Sequence, residues 1–249
     1  MELIIDPKKS IEDNATKYYD ISKKARKRLE GLKKALDFSK SKIEKLETFQ
    51  AREKKVYKLP PEDKWYMKFR WFISSDGFLC IGGRDATTNE IVIKKYADKG
   101  DLIFHTEHPG SPFFIIKSES KEIPQRTKEE TAQATLSFSR AWKEGLLTGE
   151  VYSIGPEQVK KEFGLPKGSF MIHGKREYYK PVIGLYIGLN EEGYLECGPV
   201  EKAWKLEPEG KRSDCAKWIK QKIIEKTDVK FELDYIIRLL PGDCKIKEK

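Results

Sequence analysis

Little in this chain of 249 residues lends itself to covalent or metal chemistry. Its four cysteines, Cys80, Cys197, Cys215 and Cys244, lie far apart and form no Cys-x-x-Cys pair. They read as small core residues in a reducing compartment, and no zinc site is expected from them. Only three histidines are present. His105 and His108 are close in sequence, but Pro109 and the strand-like surroundings remove the helical spacing that would aim both at one ion. His-Glu-x-x-His, Gly-x-Ser-x-Gly with a plausible triad, and the Walker phosphate loop are all missing. Gly82-Gly83 before Arg84 does not match a dinucleotide fingerprint, and no helix is expected to follow it. Met1-Glu-Leu-Ile-Ile-Asp6 has neither the basic start nor the apolar run of a secretory signal. No apolar stretch approaches the roughly 20 residues that span a bilayer. The expectation is a cytoplasmic chain with no cofactor, no metal and no membrane partner, a binder rather than an enzyme.

Apolar residues are also scarce, at 38 %, whereas charged residues make up 36 % and the net charge is +9. Part of the chain is therefore an extended, solvated element. Between Lys8 and Lys55 there are sixteen Lys and Arg against eight Asp and Glu, nearly the whole excess. A concentrated basic segment points to a polyanionic partner, most often nucleic acid. A solvated helix face explains it equally well.

Residues 10–52 carry the clearest periodicity. Alternate steps of four and three from Ile11 lead through Ala15, Tyr18, Ser22, Ala25, Leu29, Leu32, Leu36, Ser39, Ile43 and Leu46 to Gln50. Nine of these twelve positions are apolar. A repeat of about 3.5 residues is a coiled-coil seam, because it keeps the stripe facing a partner helix. Ser10 is the N-cap, with Asp13 following. At about 1.5 Å per residue the helix runs roughly 60 Å. The chain has no second helix of that length, so the partner strand must come from a second copy, another protein or a segment outside this sequence.

Lys58-Leu-Pro-Pro-Glu-Asp-Lys64 breaks the pattern and divides the chain into a basic coiled-coil helix, 1–57, and a globular part, 58–249. Strands are expected at Trp65–Ile73 and Phe78–Ile81, joined by a turn at Ser74-Ser-Asp-Gly77. A polar loop over Asp85–Asn89 leads to further strands at Ile91–Tyr96, Leu102–Thr106 and Phe113–Lys117. A single helix follows from Thr127, its N-cap, to Gly145, with Ala134, Leu136, Phe138, Ala141 and Trp142 on its apolar face. Strands at Val151–Ile154, Ser169–Ile172, Val182–Leu189 and Tyr194–Glu196, a hairpin loop at Asn190–Gly193, and helices at Ser213–Lys226 and Glu232–Leu239 complete the reading. The class is α+β: a mostly antiparallel sheet with an inserted helix, preceded by the long basic helix.

The polar residues between those strands suit RNA. Arg84 can contact a phosphate bidentately, Asn89 can read or position a base, and His105 can stack on or bond to one. Gly110 and Ser111, after Pro109, would present backbone N–H groups as anion-binding turns do. Trp65, Trp71 and Phe72 can stack on bases. Each has a plainer reading: Arg84 paired with Asp85 or Asp101, His105 a satisfied core residue, the aromatics core.

Gly83-Arg-Asp-Ala-Thr-Thr-Asn-Glu-Ile91, Gly100-Asp-Leu-Ile-Phe-His105 and Pro109-Gly-Ser111 resemble the NFACT-R RNA-binding domain. That family comprises the nuclear export mediator factor and fibronectin-binding protein A-like proteins of ribosome-associated quality control. Ile123-Pro-Gln-Arg-Thr127 with Ala132, Ala134 and Ser139, and Val159-Lys-Lys161 with Gly164 and Gly168, continue the likeness. Upstream, Ile5-Asp-Pro, Asn14-Ala15 and Tyr18-Tyr19 resemble the start of the family's second coiled-coil helix. Thr106-Glu-His108 departs from the more usual apolar-polar-Asp run, which alters the charge at that rim. The resemblance implies a non-enzymatic module that binds the large ribosomal subunit and tRNA when a nascent chain is stalled. It implies RNA contacts at Arg84, Asp85, Asn89, His105, Gly110 and Ser111, joined by Lys23, Lys24, Arg26 and Lys27 on the helix. It does not extend to tail synthesis, which belongs to a further N-terminal module of the family. Two other readings stay open: RNA modification or cleavage using His105 with Asp101 or Glu107, and a structural role for a dimerising helix.

Overall fold

The computed structural model describes residues 4–53, 63–108 and 110–247, and the side chains of 44–53 lie outside that description. The chain divides into two compact units, Met1–Val56 and Tyr57–Lys249.

The first unit is the helix α1, Ile11–Glu53. Ser10 caps it, its Oγ accepting from the Asp13 backbone N–H at 3.0 Å, which satisfies one of the orphan donors of the first turn. Among the described residues of this unit Asn14 is the one buried side chain. Its Oδ1 accepts from Asp6 N at 3.0 Å and its Nδ2 donates to Asp6 O at 3.1 Å and Ser10 O at 3.0 Å, folding the leading residues back onto the helix. Tyr18 adds a second tie through its hydroxyl to both backbone groups of Ile4. Beyond Tyr18 every described side chain of α1 is exposed, including Leu29, Leu32 and Leu36 of the expected seam. Leu46 and Gln50 of that seam fall outside the described side chains.

The second unit is built on an antiparallel sheet of six strands: β1 (Arg70–Ile73), β2 (Leu79–Gly82), β3 (Leu102–Thr106), β4 (Phe114–Ile116), β5 (Val151–Ile154) and β8 (Glu177–Tyr179), in the order β1-β2-β4-β3-β5-β8. Successive side chains on a strand point to opposite faces, and here both faces are covered. Phe72, Phe104, Phe114 and Ile116 face one core; Trp71, Ile103, Ile115 and Ile154 face the other. The first core is closed by α3 (Gln125–Ser137), α4 (Arg140–Glu144), α5 (Arg212–Thr227) and α6 (Leu233–Leu239), and by a second sheet. That sheet has the order β10-β9-β11-β12, with β9 at Leu185–Leu189, β10 at Leu195–Gly198, β11 at Trp204–Pro208 and β12 at Cys244–Ile246. The other core is closed by α2 (Ala86–Tyr96) and a short 3-10 turn at Trp65–Lys68. A small hairpin, β6 (Val159–Lys160) with β7 (Met171–Ile172), stands apart from both sheets.

The α+β class and the antiparallel pairing are as the sequence suggests, and both expected turns form. Ser74 N donates to Phe78 O with Gly77 at φ +84°, and Asn190 N donates to Tyr194 O with Gly193 also at φ +84°. The strand expected at Trp65–Ile73 is a 3-10 turn over Trp65–Lys68 followed by the shorter β1, and two further elements differ. Asp85–Asn89 and Ile91–Tyr96 are one helix, α2, rather than loop and strand. Asp85 caps it, accepting from Thr88 N at 2.8 Å while the Thr88 hydroxyl closes back on Asp85 N at 2.9 Å. A cap of this kind contributes about 1 kcal/mol, and burial of Val92 and Ile93 on the sheet outweighs the weak helix propensity of the β-branched run Ile91-Val92-Ile93. The second difference is the inserted helix, which is two. α3 starts after Pro124, and Thr127, expected as its cap, is buried with its hydroxyl on Ser74 Oγ and Asp76 Oδ2. The helix stops at Phe138, and Ser139 caps α4 by accepting from Ala141 N at 3.1 Å. Gly145 ends α4 in the left-handed region, φ +68°. Trp71 and Phe72, candidates for base stacking, are buried in opposite cores. Trp65 is half-exposed but already stacks on Tyr96 at 4.6 Å.

Candidate nucleic-acid interface

A cleft of about 630 Å³ opens where the N-terminal end of α2, the ends of β2 and β3, the segment before β4, and residues 167–172 leading into β7 converge. Arg84, Asp85, Asn89, His105, Gly110 and Ser111 all line it. Residues scattered over the sequence thus share one wall, but most of their functional groups are already committed.

Arg84 turns its guanidinium inward. Nη2 donates to the carbonyls of Met67 at 3.0 Å and Phe69 at 2.8 Å, and Nε is buried with no partner. Burial holds its pKa below the ordinary value, and neither Asp85 nor Asp101 forms an ion pair with it. Asn89 is a strut: its Oδ1 accepts from Phe113 N at 3.0 Å. It lies so close to Gly83 that a Cβ there would sit 2.0 Å from that oxygen. Asp85 caps α2, and the backbone N–H of Thr88, first among its partners, holds its carboxyl below the usual range.

His105 stacks on Phe113 with ring centroids 4.2 Å apart. Its Nδ1 lies 2.7 Å from the Thr106 carbonyl; a carbonyl only accepts, so the proton sits on Nδ1. Burial pushes the imidazole down to about 4, against the opposing pull of the Thr106 and Ser111 backbone, and the ring is neutral at physiological pH. Neither carboxylate considered as its partner reaches it. Asp101 is held by Lys117 and by the backbone N–H of Ser118 at 2.9 Å. Glu107 accepts from Arg176 at 2.7 Å and from the Tyr178 hydroxyl at 2.9 Å. Gly110 is exposed with φ +94°, whereas Ser111 is buried and its hydroxyl donates to Pro112 O at 3.0 Å.

Several residues of the cleft are ones that sequence reasoning passes over. Gly168 sits at φ +79° against α2, where a Cβ would lie 2.7 Å from Ala86, and its N–H donates to Glu90 Oε2 at 3.0 Å. Lys161 reaches the same carboxylate at 3.4 Å, fastening the hairpin to the helix. Lys167 is exposed at the mouth, and Arg176 lies over the Tyr152 ring at 4.6 Å. Arg70 opens β1 and lies over the Phe138 ring at 4.3 Å. Its only signal in the sequence is a charge inside the aromatic run 65–73. With Glu107 paired to Arg176 and Asp85 spent on its cap, Arg70, Arg84 and Lys167 leave the cleft positive.

Lys23, Lys24, Arg26 and Lys27 are exposed on α1, in the other unit. Among the described residues no group of His, Cys, Asp and Glu has the makings of a metal site, and no helix is long and apolar enough to cross a membrane.

Comparison with known proteins bears directly on this cleft. Residues 68–174 match the family model described as the NFACT protein RNA binding domain. The chain is 39 % identical over 211 residues to the archaeal Rqc2 homolog aRqcH of Methanocaldococcus jannaschii, covering 77 % of this chain and 31 % of that protein. It is 36 % identical over 184 residues to the human ribosome quality control complex subunit NEMF, covering 68 % of this chain and 16 % of that one. With the Schizosaccharomyces pombe ribosome quality control complex subunit 2 it shares 32 % identity over 181 residues, 68 % of this chain and 18 % of the relative. The chain thus spans less than a third of the length of these curated relatives. All the residues that line the cleft except Arg176 fall inside the matched span, and the chain belongs to the NFACT family through the RNA-binding domain it carries there.

Proposed function

We propose that this chain is a non-enzymatic, RNA-binding part of a ribosome quality control factor, acting in the cytoplasm on stalled large ribosomal subunits and contacting tRNA or rRNA. The observation that carries the reading is the coincidence of an RNA-binding family match with a net-positive cleft in the same span. The names of the relatives, all ribosome quality control proteins, supply the process. A long, exposed basic helix adds a second cationic surface of the kind that tracks phosphates. Its apolar seam takes a partner helix, from a second copy or from a segment outside this sequence. The neutral, carboxylate-free His105 favours binding over RNA modification or cleavage.

Fluorescence anisotropy with labelled tRNA tests the reading. The logarithm of affinity falls with the logarithm of salt by about 0.9 for each phosphate neutralised, so the expected loss between 50 and 200 mM is about tenfold or more. Reversing the charge of Lys23, Lys24, Arg26 and Lys27 together should weaken binding further while leaving thermal unfolding unchanged. A salt-independent affinity, or none, would sink the proposal; unchanged affinity in the fourfold variant would remove the helix from the site. Incubation with tRNA is expected to yield no new ends, and ends that vanish in His105→Ala would establish the enzymatic reading instead.

A further inference from the structure

Arg70 is a cleft cation with a buried donor that the fold leaves unanswered. Arg84 spends Nη2 on two backbone carbonyls and Arg176 is paired with Glu107. Among the described residues the guanidinium of Arg70 has no hydrogen-bond or ion-pair partner, and its Nη1 is buried. Its guanidinium carbon lies over the Phe138 ring at 4.3 Å. A ring face offers the positive charge a quadrupole but no oxygen for the N–H donors. Burial first of all lowers its pKa to about 10; the Cys197 thiol opposes this, and the charges of Arg84 and Arg212 add to it. A buried donor without an acceptor costs free energy, and a buried cation without an anion costs more. Elsewhere in this unit Lys117 meets Asp101 and Asp98, and Glu196 meets Lys202. Arg70, lining an open cleft, meets no carboxylate among the described residues.

We propose that Arg70 anchors a phosphate, and that the cleft takes one nucleotide of a single-stranded RNA segment, with the phosphate on Arg70 and the base towards Phe113 and Phe170. This rests on the RNA-binding reading and adds to it a defined subsite. An arginine presents paired donors that match a phosphate's oxygens. A bare oxyanion would not need the cleft; its volume is in the range that holds a drug-sized ligand. Phe113 and Phe170, packed edge to face at 5.6 Å, give it an aromatic side, and single-stranded RNA is recognised by splaying bases onto such surfaces. The helix N-terminus beside it is not the anion site, because Asp85 already occupies it.

The test has an arm that does not use RNA. Thermal unfolding of the wild-type chain is followed in adenosine 5′-monophosphate, in adenosine and in inorganic phosphate, all at one ionic strength. A ligand that binds only the folded state raises its melting temperature, so the monophosphate is expected to stabilise most, inorganic phosphate less and adenosine little. In Arg70→Gln the stabilisation should vanish, and in Arg70→Lys it should be partly kept. In the second arm, Arg70→Gln should weaken tRNA binding about tenfold, the worth of one charge-assisted contact, and reduce the salt slope by about 1. Equal melting temperatures with the monophosphate and without it overturn the subsite, whether or not either variant folds. Steep salt-dependent tRNA binding that Arg70→Gln leaves unchanged overturns the subsite while the RNA-binding reading stands. Monophosphate stabilisation lost in Arg70→Gln, with no tRNA binding at all, overturns the RNA assignment and leaves a free-nucleotide site.

Discussion

Gly83 has no side chain because Asn89 occupies the place one would take. A Cβ there would meet Asn89 Oδ1 at 2.0 Å and its backbone N at 2.7 Å, so Gly83→Ala must displace the amide and break its bond to Phe113 N. The expected cost is about 1–3 kcal/mol, read as a lower urea midpoint. Asn89→Ala should cost a similar amount by stranding the same N–H. His105 makes a prediction about pH. Its folded pKa of about 4 lies below the ordinary value near 6.5, so the unfolded chain binds the extra proton first. The stability this group contributes is complete above about pH 6.5 and is lost as pH falls towards about 4. Replacing His105 by Leu should flatten the stability profile across that window in urea titrations at several pH values; an unchanged profile would show that His105 titrates alike in the folded and unfolded chain. At this scale the sequence identified six of the residues that gather at the cleft, missed others such as Arg70 and Lys167, and did not show which way their polar atoms point. Arg84 and Asn89 serve backbone groups of residues distant in sequence, and no local pattern announces that.

The elements show where periodicity is decisive and where it misleads. In α1, 43 residues repeat one stripe, and the helix is where that stripe puts it. Because Leu29, Leu32 and Leu36 are exposed, the chain should self-associate through them. Sedimentation velocity is expected to show a concentration-dependent shift that Leu29→Gln, Leu32→Gln and Leu36→Gln together abolish. A wild-type chain that stays monomeric would assign the partner helix to another segment. In α2 the same kind of signal was present but short. Asn89, Val92, Ile93 and Tyr96 lie one helical turn apart on the face turned to the sheet, while Ile91-Val92-Ile93 reads locally as strand. Three apolar β-branched residues in a row fit either state, and only the sheet beneath, supplied by β2 and β4, decides.

For the whole molecule, the six-stranded sheet carries two cores on its opposite faces, so neither core survives without it. Val92→Ala on one face and Ile219→Ala on the other should therefore lower one common unfolding transition of the 57–249 unit, Ile219→Ala by about 2–5 kcal/mol. Two transitions that respond separately in calorimetry would contradict a shared sheet. The sequence alone determined the long basic helix, the antiparallel strands with their Gly-bearing turns, the α+β class and the family, because each rests on neighbours along the chain or on runs of matching residues. Only the tertiary structure decided that 86–96 is a helix, that β11 and β12 pair although an intervening pair of helices separates them, and that Arg70, Arg84 and Lys167 face one cleft. Those outcomes follow from burial and from hydrogen bonds between distant segments, whose free energy is set by what the fold brings against them rather than by the residues themselves.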